Sequence, residues 1–345
     1  MDAPRRKHLP LRLATGLLLA AVTLTALEGL ASLTLYAYDL VFNTRSATAE
    51  REAEYTAFDP EIGWVSRPGV RLPDLFGPGK SLSTDALGAR GTAAVAPEAP
   101  AGKVRVVCIG DSFTQGYGVG DDEAWPHVLA ELDPRLEVVN LGQRGYGIDQ
   151  AWLWYQRKEA ELEHDLVVLG FIADNWRRVR LDRYQGYPKP VLVRGEERPR
   201  VANAPLEQPA GRWGWLHLND EVVRSARTLQ LARRIRRKLA GPAVEDPTVM
   251  DERAGAEVVA QLIEDLDRRC RAAGRQLVLL HLPSPDARTE GGLLPLGAQA
   301  RRVCEQAAAD GVPFVDLAQE FAALEPAERE ALFLVLDEVS SPRAQ

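Results

Sequence analysis

Cysteine is scarce in this 345-residue chain: Cys108, Cys270 and Cys304 are odd in number, far apart, and form no CxxC or Cys/His pattern. That excludes a disulfide framework or a zinc cluster as the means of folding, and leaves a single Cys270–Cys304 bridge as an open pairing. An excess of positive charge is lacking too. With 42 Lys and Arg against 49 Asp and Glu the formal net charge is −7, so no general nucleic-acid binder is expected, because counterion release needs clustered basic residues along a groove. No internal repeat is evident. What is present is the balance of an ordinary globular protein, 46% hydrophobic and 26% charged with 28 Gly and 23 Pro, and a core can form at this length without staples.

The strongest compositional signal is N-terminal. Arg5, Arg6, Lys7 and Arg12 in residues 1–12 precede an apolar run over residues 13–38, long enough at 1.5 Å per residue to cross a hydrocarbon core of about 30 Å. The run reads as a signal anchor. A cleavable signal peptide is the alternative, with Ala26 and Ala31 as small residues near a cleavage site, but the run continues past them through Leu33, Leu35 and Tyr36. Glu28 interrupts it. A carboxylate there costs roughly 2.5 to 3.5 kcal/mol at the bilayer centre, so it is protonated, near an interface, or paired with a partner. Basic residues before the run and Asp39 after it put the N-terminus in the cytoplasm and the main domain outside.

Residues 43–102 form a polar, Pro/Gly-rich lead-in, ending in an Ala/Pro-rich stretch over 93–102 that reads as a linker without packed structure of its own. From residue 103 onward, short β-branched runs alternate with helical patterns, the signature of a parallel sheet covered by helices. Strands are predicted over Val104–Ile109, Leu136–Asn140, Leu166–Phe171, Leu277–Leu282 and Val312–Asp316. Helices are predicted over Trp125–Leu132, Asp149–Glu163, Arg253–Ala273 and Leu296–Ala309. The expected fold class is a three-layer α/β (αβα) sandwich, in a domain spanning 103–345 with a long insertion over 176–250. That insertion contains Arg233-Arg234-Ile235-Arg236-Arg237-Lys238, either a solvated helix face or a contact for an anionic polymer or lipid headgroup.

In open α/β sheets chemistry gathers at the carboxyl ends of the strands. The first strand delivers Ser112 in Gly110-Asp111-Ser112-Phe113-Thr114, at a strand-to-helix turn where a hydroxyl sits beside free backbone N–H donors. Taken alone, it reads equally as a helix cap, as does Asp111. The wider stretch Gly110-Asp111-Ser112-Phe113-Thr114-Gln115-Gly116-Tyr117-Gly118-Val119 resembles the first block of the SGNH hydrolases, the GDSL lipase and esterase family, and in particular its membrane-anchored bacterial members. Asn140-Leu141-Gly142-Gln143-Arg144-Gly145-Tyr146-Gly147 resembles the second block, and Gly63-Trp64 with Thr84-Asp85-Ala86-Leu87-Gly88-Ala89-Arg90-Gly91 the lead-in of anchored members.

The resemblance implies a flavodoxin-like sheet, Ser112 as nucleophile, and the Ser112 and Gly145 backbones as oxyanion donors. Two blocks depart from the family pattern. The third, usually Gly-x-Asn-Asp, reads Ala173-Asp174-Asn175-Trp176, so either Asn175 supplies a side-chain amide to the oxyanion hole or Asp174 stands there, where a carboxylate would repel the developing charge. The fourth, Asp-x-x-His, reads Asp337-Glu338-Val339-Ser340: Asp337 is the expected orienting acid, and a serine stands where the general base is expected. Gln345 follows five residues later, without the helix that normally follows this motif in the family.

Five histidines remain to be weighed. His8 precedes the apolar run, His127 lies in a helix, His164 before the third strand, His217 in the insertion, and His281 at the carboxyl end of the fourth strand, where it reads as a core residue bonded to a backbone carbonyl. Two functional classes follow. One is an extracytoplasmic ester hydrolase acting on acyl esters of envelope polysaccharide or lipid. The other is a catalytically impaired or truncated relative that binds a glycan or partner. Neither calls for a metal or organic cofactor.

Overall fold

The computed structural model describes residues 9–42, 54–184, 187–207, 228, 231, 248–286 and 292–332. The chain divides into two compact units. One comprises Met1–Ser46, Ala210–Val244 and Leu336–Gln345, the other Ala47–Pro209 and Glu245–Val335. The insertion predicted over 176–250 is therefore split, with 210–244 grouped with the N-terminal segment and the rest with the other unit.

In the first unit, helix α1 spans Leu9–Phe42, and its Ala14–Thr34 stretch has a mean hydropathy of 1.8, apolar and long enough to cross a membrane. The hydroxyls of Thr23, Thr25 and Thr34 each donate to the carbonyl four residues earlier, which satisfies them without water. Glu28 finds a partner within the unit. One of its carboxylate oxygens accepts from the Thr228 N–H at 3.1 Å and from its hydroxyl at 2.8 Å.

The second unit is built on a parallel sheet. Its strands are β5 (Val104–Gly110), β6 (Leu136–Asn140), β7 (Leu166–Phe171), β12 (Gln276–His281) and β13 (Phe314–Asp316), in the order β13-β12-β7-β5-β6. Strand β5 is buried from Arg105 onward, as a central strand covered on both faces must be, which is why it reads as one continuous apolar run. The pleat divides its side chains. Val106 and Cys108 face one cluster with Val168 and Trp125, the latter from helix α3 (Trp125–Leu132). Val107 and Ile109 face a larger cluster built with helices α4 (Ile148–Lys158), α6 (Glu252–Ala272) and α7 (Ala298–Ala309). Each large aliphatic side chain buried there contributes about 1.5–3 kcal/mol. The fold is thus the expected α/β sandwich, with the order reversing between β5 and β7, the topological switch point where ligands bind in such sheets. Cys270 and Cys304 are both free and buried, without the bridge the sequence left open.

The lead-in folds onto this unit. Strands β1 (Thr56–Asp59) and β2 (Gly63–Ser66) form one antiparallel pair, β3 (Arg71–Leu72) and β4 (Leu82–Ser83) another. The stretch over 93–102, a linker by composition, is tied down: fully buried Arg105 donates to the carbonyls of Pro97 at 2.9 Å and Glu98 at 2.7 Å, and Val95 packs on the core. Its Ala/Pro composition hides this because the bonds use backbone oxygens alone. Within the insertion, β8 (Arg183–Tyr184) pairs with β9 (Tyr187–Pro188), and β10 (Leu192–Val193) with β11 (Arg200–Val201). Lys189 between them is fully buried and ion-paired with fully buried Asp149 at the start of α4. Its ammonium also donates to the carbonyls of Leu181 and Pro190.

Candidate active site

Ser112 opens the one-turn helix α2 (Ser112–Gln115) directly after β5. Asp111 is the N-cap, its carboxylate accepting from the Phe113 N–H at 2.9 Å. That assigns the capping role to Asp111 and leaves the half-buried Ser112 side chain uncommitted. The loop after β6 reaches across to this turn. Leu141 and Gln143 donate to the Cys108 and Gly110 carbonyls at 2.8 and 3.0 Å, and Gln143 accepts from Ser66 of the lead-in at 2.8 Å. Gly145 follows in the left-handed region at φ +76°, buried where a Cβ would meet Tyr184 at 3.0 Å and Trp64 at 3.3 Å. Trp64 donates from its indole to the Arg144 carbonyl at 2.8 Å, and Tyr146 donates to the Trp64 carbonyl at 2.5 Å. Among the described residues none accepts from the Ser112 or Gly145 N–H, and none is hydrogen-bonded to the Ser112 hydroxyl.

The end of β7 completes this edge. In helix α5 (Ala173–Arg178) the two residues of the third block take different surroundings. Asn175 is 1% exposed. Its carbonyl oxygen accepts from Ile172 at 2.6 Å, and its amide donates to Asp111 at 3.0 Å and to the Tyr146 carbonyl at 2.9 Å, so both amide hydrogens are committed. Asp174 instead pairs with Arg177 and Arg178, each at 2.7 Å. Burial works to raise its pKa, but the two guanidinium groups hold it below the usual carboxylate value. Arg178 also donates to Asp111 at 3.2 Å and to the Tyr146 carbonyl at 3.1 Å, and its guanidinium lies over the Tyr184 ring. Asp111 is itself pushed up by burial, with Arg178 and Asn175 opposing. Ser112, Gly145 and Asn175 are therefore joined through Asp111 and Tyr146. Asp337 and Ser340 lie outside the described residues, as do His8 and His217.

The described histidines are engaged elsewhere. His127 is exposed and faces Glu131 at 3.5 Å. His164 is buried, bonded to the Tyr155 hydroxyl and to the Leu162 carbonyl, and burial lowers its pKa to about 4. His281 is fully buried, but its Nδ1 pairs with the Asp316 carboxylate at 2.7 Å rather than with a backbone carbonyl, because β12 and β13 place the two residues side by side. Its Nε2 has no hydrogen-bond partner among the described residues, and its ring is stacked on Phe171 of the neighbouring strand β7. Burial would raise Asp316, yet the bond to His281 and the charges of His281 and Arg301 keep it below the ordinary value. Among the described residues no group of three or more His, Cys, Asp or Glu could hold a metal ion.

A family model described as the GDSL-like Lipase/Acylhydrolase family matches residues 108–335, well over half of the chain, beginning within β5 and spanning all three strand ends. The chain belongs to this family. The GDSL-like sequence thus carries its serine block on β5 and its second block after β6, as the resemblance implied. Solved structures with a similar outline include the SGNH-hydrolase family esterase AlinE4, 13% identical with a TM-score of 0.33 over 67% of this chain and 84% of that one. A member of the lipolytic protein G-D-S-L family from Veillonella parvula DSM 2008 is 11% identical with a TM-score of 0.33, over 68% and 97% of the two chains. TesA is 14% identical with a TM-score of 0.32, over 68% and 95%. No protein with a curated description matches the chain.

Proposed function

We propose that this GDSL-family protein is a serine ester hydrolase anchored in the cytoplasmic membrane by α1, with its catalytic domain on the extracytoplasmic side, acting on acyl esters of envelope glycan or lipid. One observation carries the reading: among the described residues the Ser112 hydroxyl and the Ser112 and Gly145 N–H groups have no hydrogen-bond partner, while Asp111, Asn175 and Arg178 beside them are bonded to one another and to the Tyr146 carbonyl. In this reading Ser112 attacks the ester carbonyl, and the two N–H groups receive the negative charge that develops on its oxygen. Asn175 holds Asp111 and the Tyr146 carbonyl, and reaches an oxyanion only by giving up one of those bonds. Asp337 is the acid of the fourth block.

A second reading is favoured by Ser340, which stands where the family's base is expected. Base catalysis contributes about 10² to 10⁴-fold, so a chain without a base would bind its glycan or partner with little turnover. The test is p-nitrophenyl acetate hydrolysis by the full-length protein in detergent beside Ser112→Ala, with labelling by a serine-directed phosphonate. Turnover and labelling that disappear in Ser112→Ala support the hydrolase. Equal background rates and no labelling overturn it and favour binding alone.

A further inference from the structure

The helix that begins at Ser112 cannot hold itself. It is four residues long, its nucleation is unfavourable, and the carbonyls at its end need donors from elsewhere. Asn140 supplies one, donating to the Thr114 carbonyl at 2.9 Å and more weakly to that of Gln115 at 3.4 Å. Arg90, from the lead-in, supplies more. Its Nη1 donates to the Gln115 carbonyl at 2.7 Å and also to that of Gly116. Its Nη2 donates to Val119 at 2.6 Å and to Ser81 at 3.4 Å, and its Nε to the Asp121 carboxylate at 3.1 Å. All five guanidinium hydrogens are engaged in a side chain only 2% exposed. The Arg90 backbone N–H donates to the Asn140 carbonyl at 2.8 Å, at the end of the strand whose loop carries Gly145. One lead-in residue therefore grips both the turn after the serine and the root of the oxyanion loop.

We propose that Arg90 is a positioning residue of the hydrolase, clamping the turn Gln115–Val119 so that the Ser112 hydroxyl and N–H keep their place relative to Gly145. The inference rests on the ester-hydrolase reading of Ser112. A lysine cannot do the same work, since an ammonium has three donors on a point charge and no planar fork to span several carbonyls.

The test uses the full-length protein in detergent and compares wild type with Arg90→Lys. Rates are expressed per serine titrated by the phosphonate, and amide hydrogen exchange is followed at Gly116 and Tyr117, whose N–H groups both donate to the Ser112 carbonyl at 2.9 Å. We expect kcat per titrated serine to fall at least tenfold with KM within threefold, and exchange at those two amides to rise at least tenfold while the amides of β7 are unchanged. A purely structural role would lower the number of titratable sites and leave kcat per site intact. Values of kcat and exchange both within twofold of wild type overturn the proposal. Should wild type show no Ser112-dependent turnover, the hydrolase reading fails by itself and the exchange arm still decides the clamp. Should Arg90→Lys not fold, Asp121→Asn, which keeps the guanidinium but removes its charge partner, is expected to raise exchange severalfold at the same amides, and unchanged exchange there overturns the proposal.

Discussion

Replacing Gly145 by alanine tests the geometry and the chemistry of the edge at once. At φ +76° an L-residue costs about 1–2 kcal/mol of backbone strain. The added methyl would sit 3.0 Å from Tyr184 Cε1 and 3.3 Å from Trp64 Cζ2, so both rings must give by a few tenths of an ångström. They do not yield freely, because Tyr184 also stacks with Trp64 and carries the Arg178 guanidinium over its ring, 4.9 Å from the centroid. Overpacking of this kind adds on the order of 1 kcal/mol. The total of about 2–3 kcal/mol corresponds to a fall in melting temperature of roughly 5–10 °C for a domain of this size. The same relaxation would displace the Gly145 N–H, which the proposed mechanism makes an oxyanion donor, and loss of one such donor costs about 10²–10³ in kcat. A displaced donor is expected at the lower end, near 10²-fold, with KM little changed. Melting curves and p-nitrophenyl acetate kinetics on one preparation check both numbers. Gly69→Ala is the control: its φ is +68° and a Cβ there meets nothing within 4 Å, so it should show backbone strain with kcat unaltered. A Gly145→Ala protein that melts several degrees lower yet keeps kcat within twofold would refute the donor role, and one with unaltered melting would refute the packing.

Two further outcomes follow from buried charge. Lys189→Met strands the Asp149 carboxylate in full burial, which should cost about 3–5 kcal/mol in urea unfolding, most of it recovered in Lys189→Met/Asp149→Leu; a single variant as stable as wild type would contradict the pair. His164, with its pKa lowered to about 4 from an unfolded value near 6.5, binds its proton in the unfolded chain first. Stability should therefore rise with pH from about 4 to 6.5 and level off above. His164→Gln should flatten the melting temperature over that interval, and an unchanged slope would show that the histidine is not the group responsible.

The sheet was legible because its central strands, such as Val104–Gly110 and Leu166–Phe171, are buried nearly throughout and read as continuous apolar runs. Leu136–Asn140 and Leu166–Phe171 coincide with the predicted runs, and Trp125–Leu132 with the predicted helix. The insertion was not, since strands of two residues such as Leu192–Val193 carry no periodicity, and the Lys189–Asp149 pair that anchors it joins residues 40 positions apart. At the site, Ser112 and Gly145 stood out by motif. The partner of His281 did not, because Asp316 becomes its neighbour only through the register of β12 with β13. The reversed third block could not be resolved by residue type either, since what separates Asn175 from Asp174 is which of them faces Asp111 and which faces two arginines. Arg90 was visible in the lead-in motif, but nothing in its spacing tells that its targets are carbonyl oxygens.

Gly110 and Gly170 are partners across β5 and β7, and a Cβ on either would fall 2.3 or 2.5 Å from the Thr114 hydroxyl. The serine helix therefore lies flush on the sheet, with no side chain beneath it to serve as a shim. From below, the Ser112 turn cannot be raised or lowered by exchanging a side chain for a larger or smaller one, because what lies under it is the backbone of two central strands. Side chains can differ around this turn, as Trp64 and Tyr184 do beside Gly145, while the floor under Ser112 is set by the backbone.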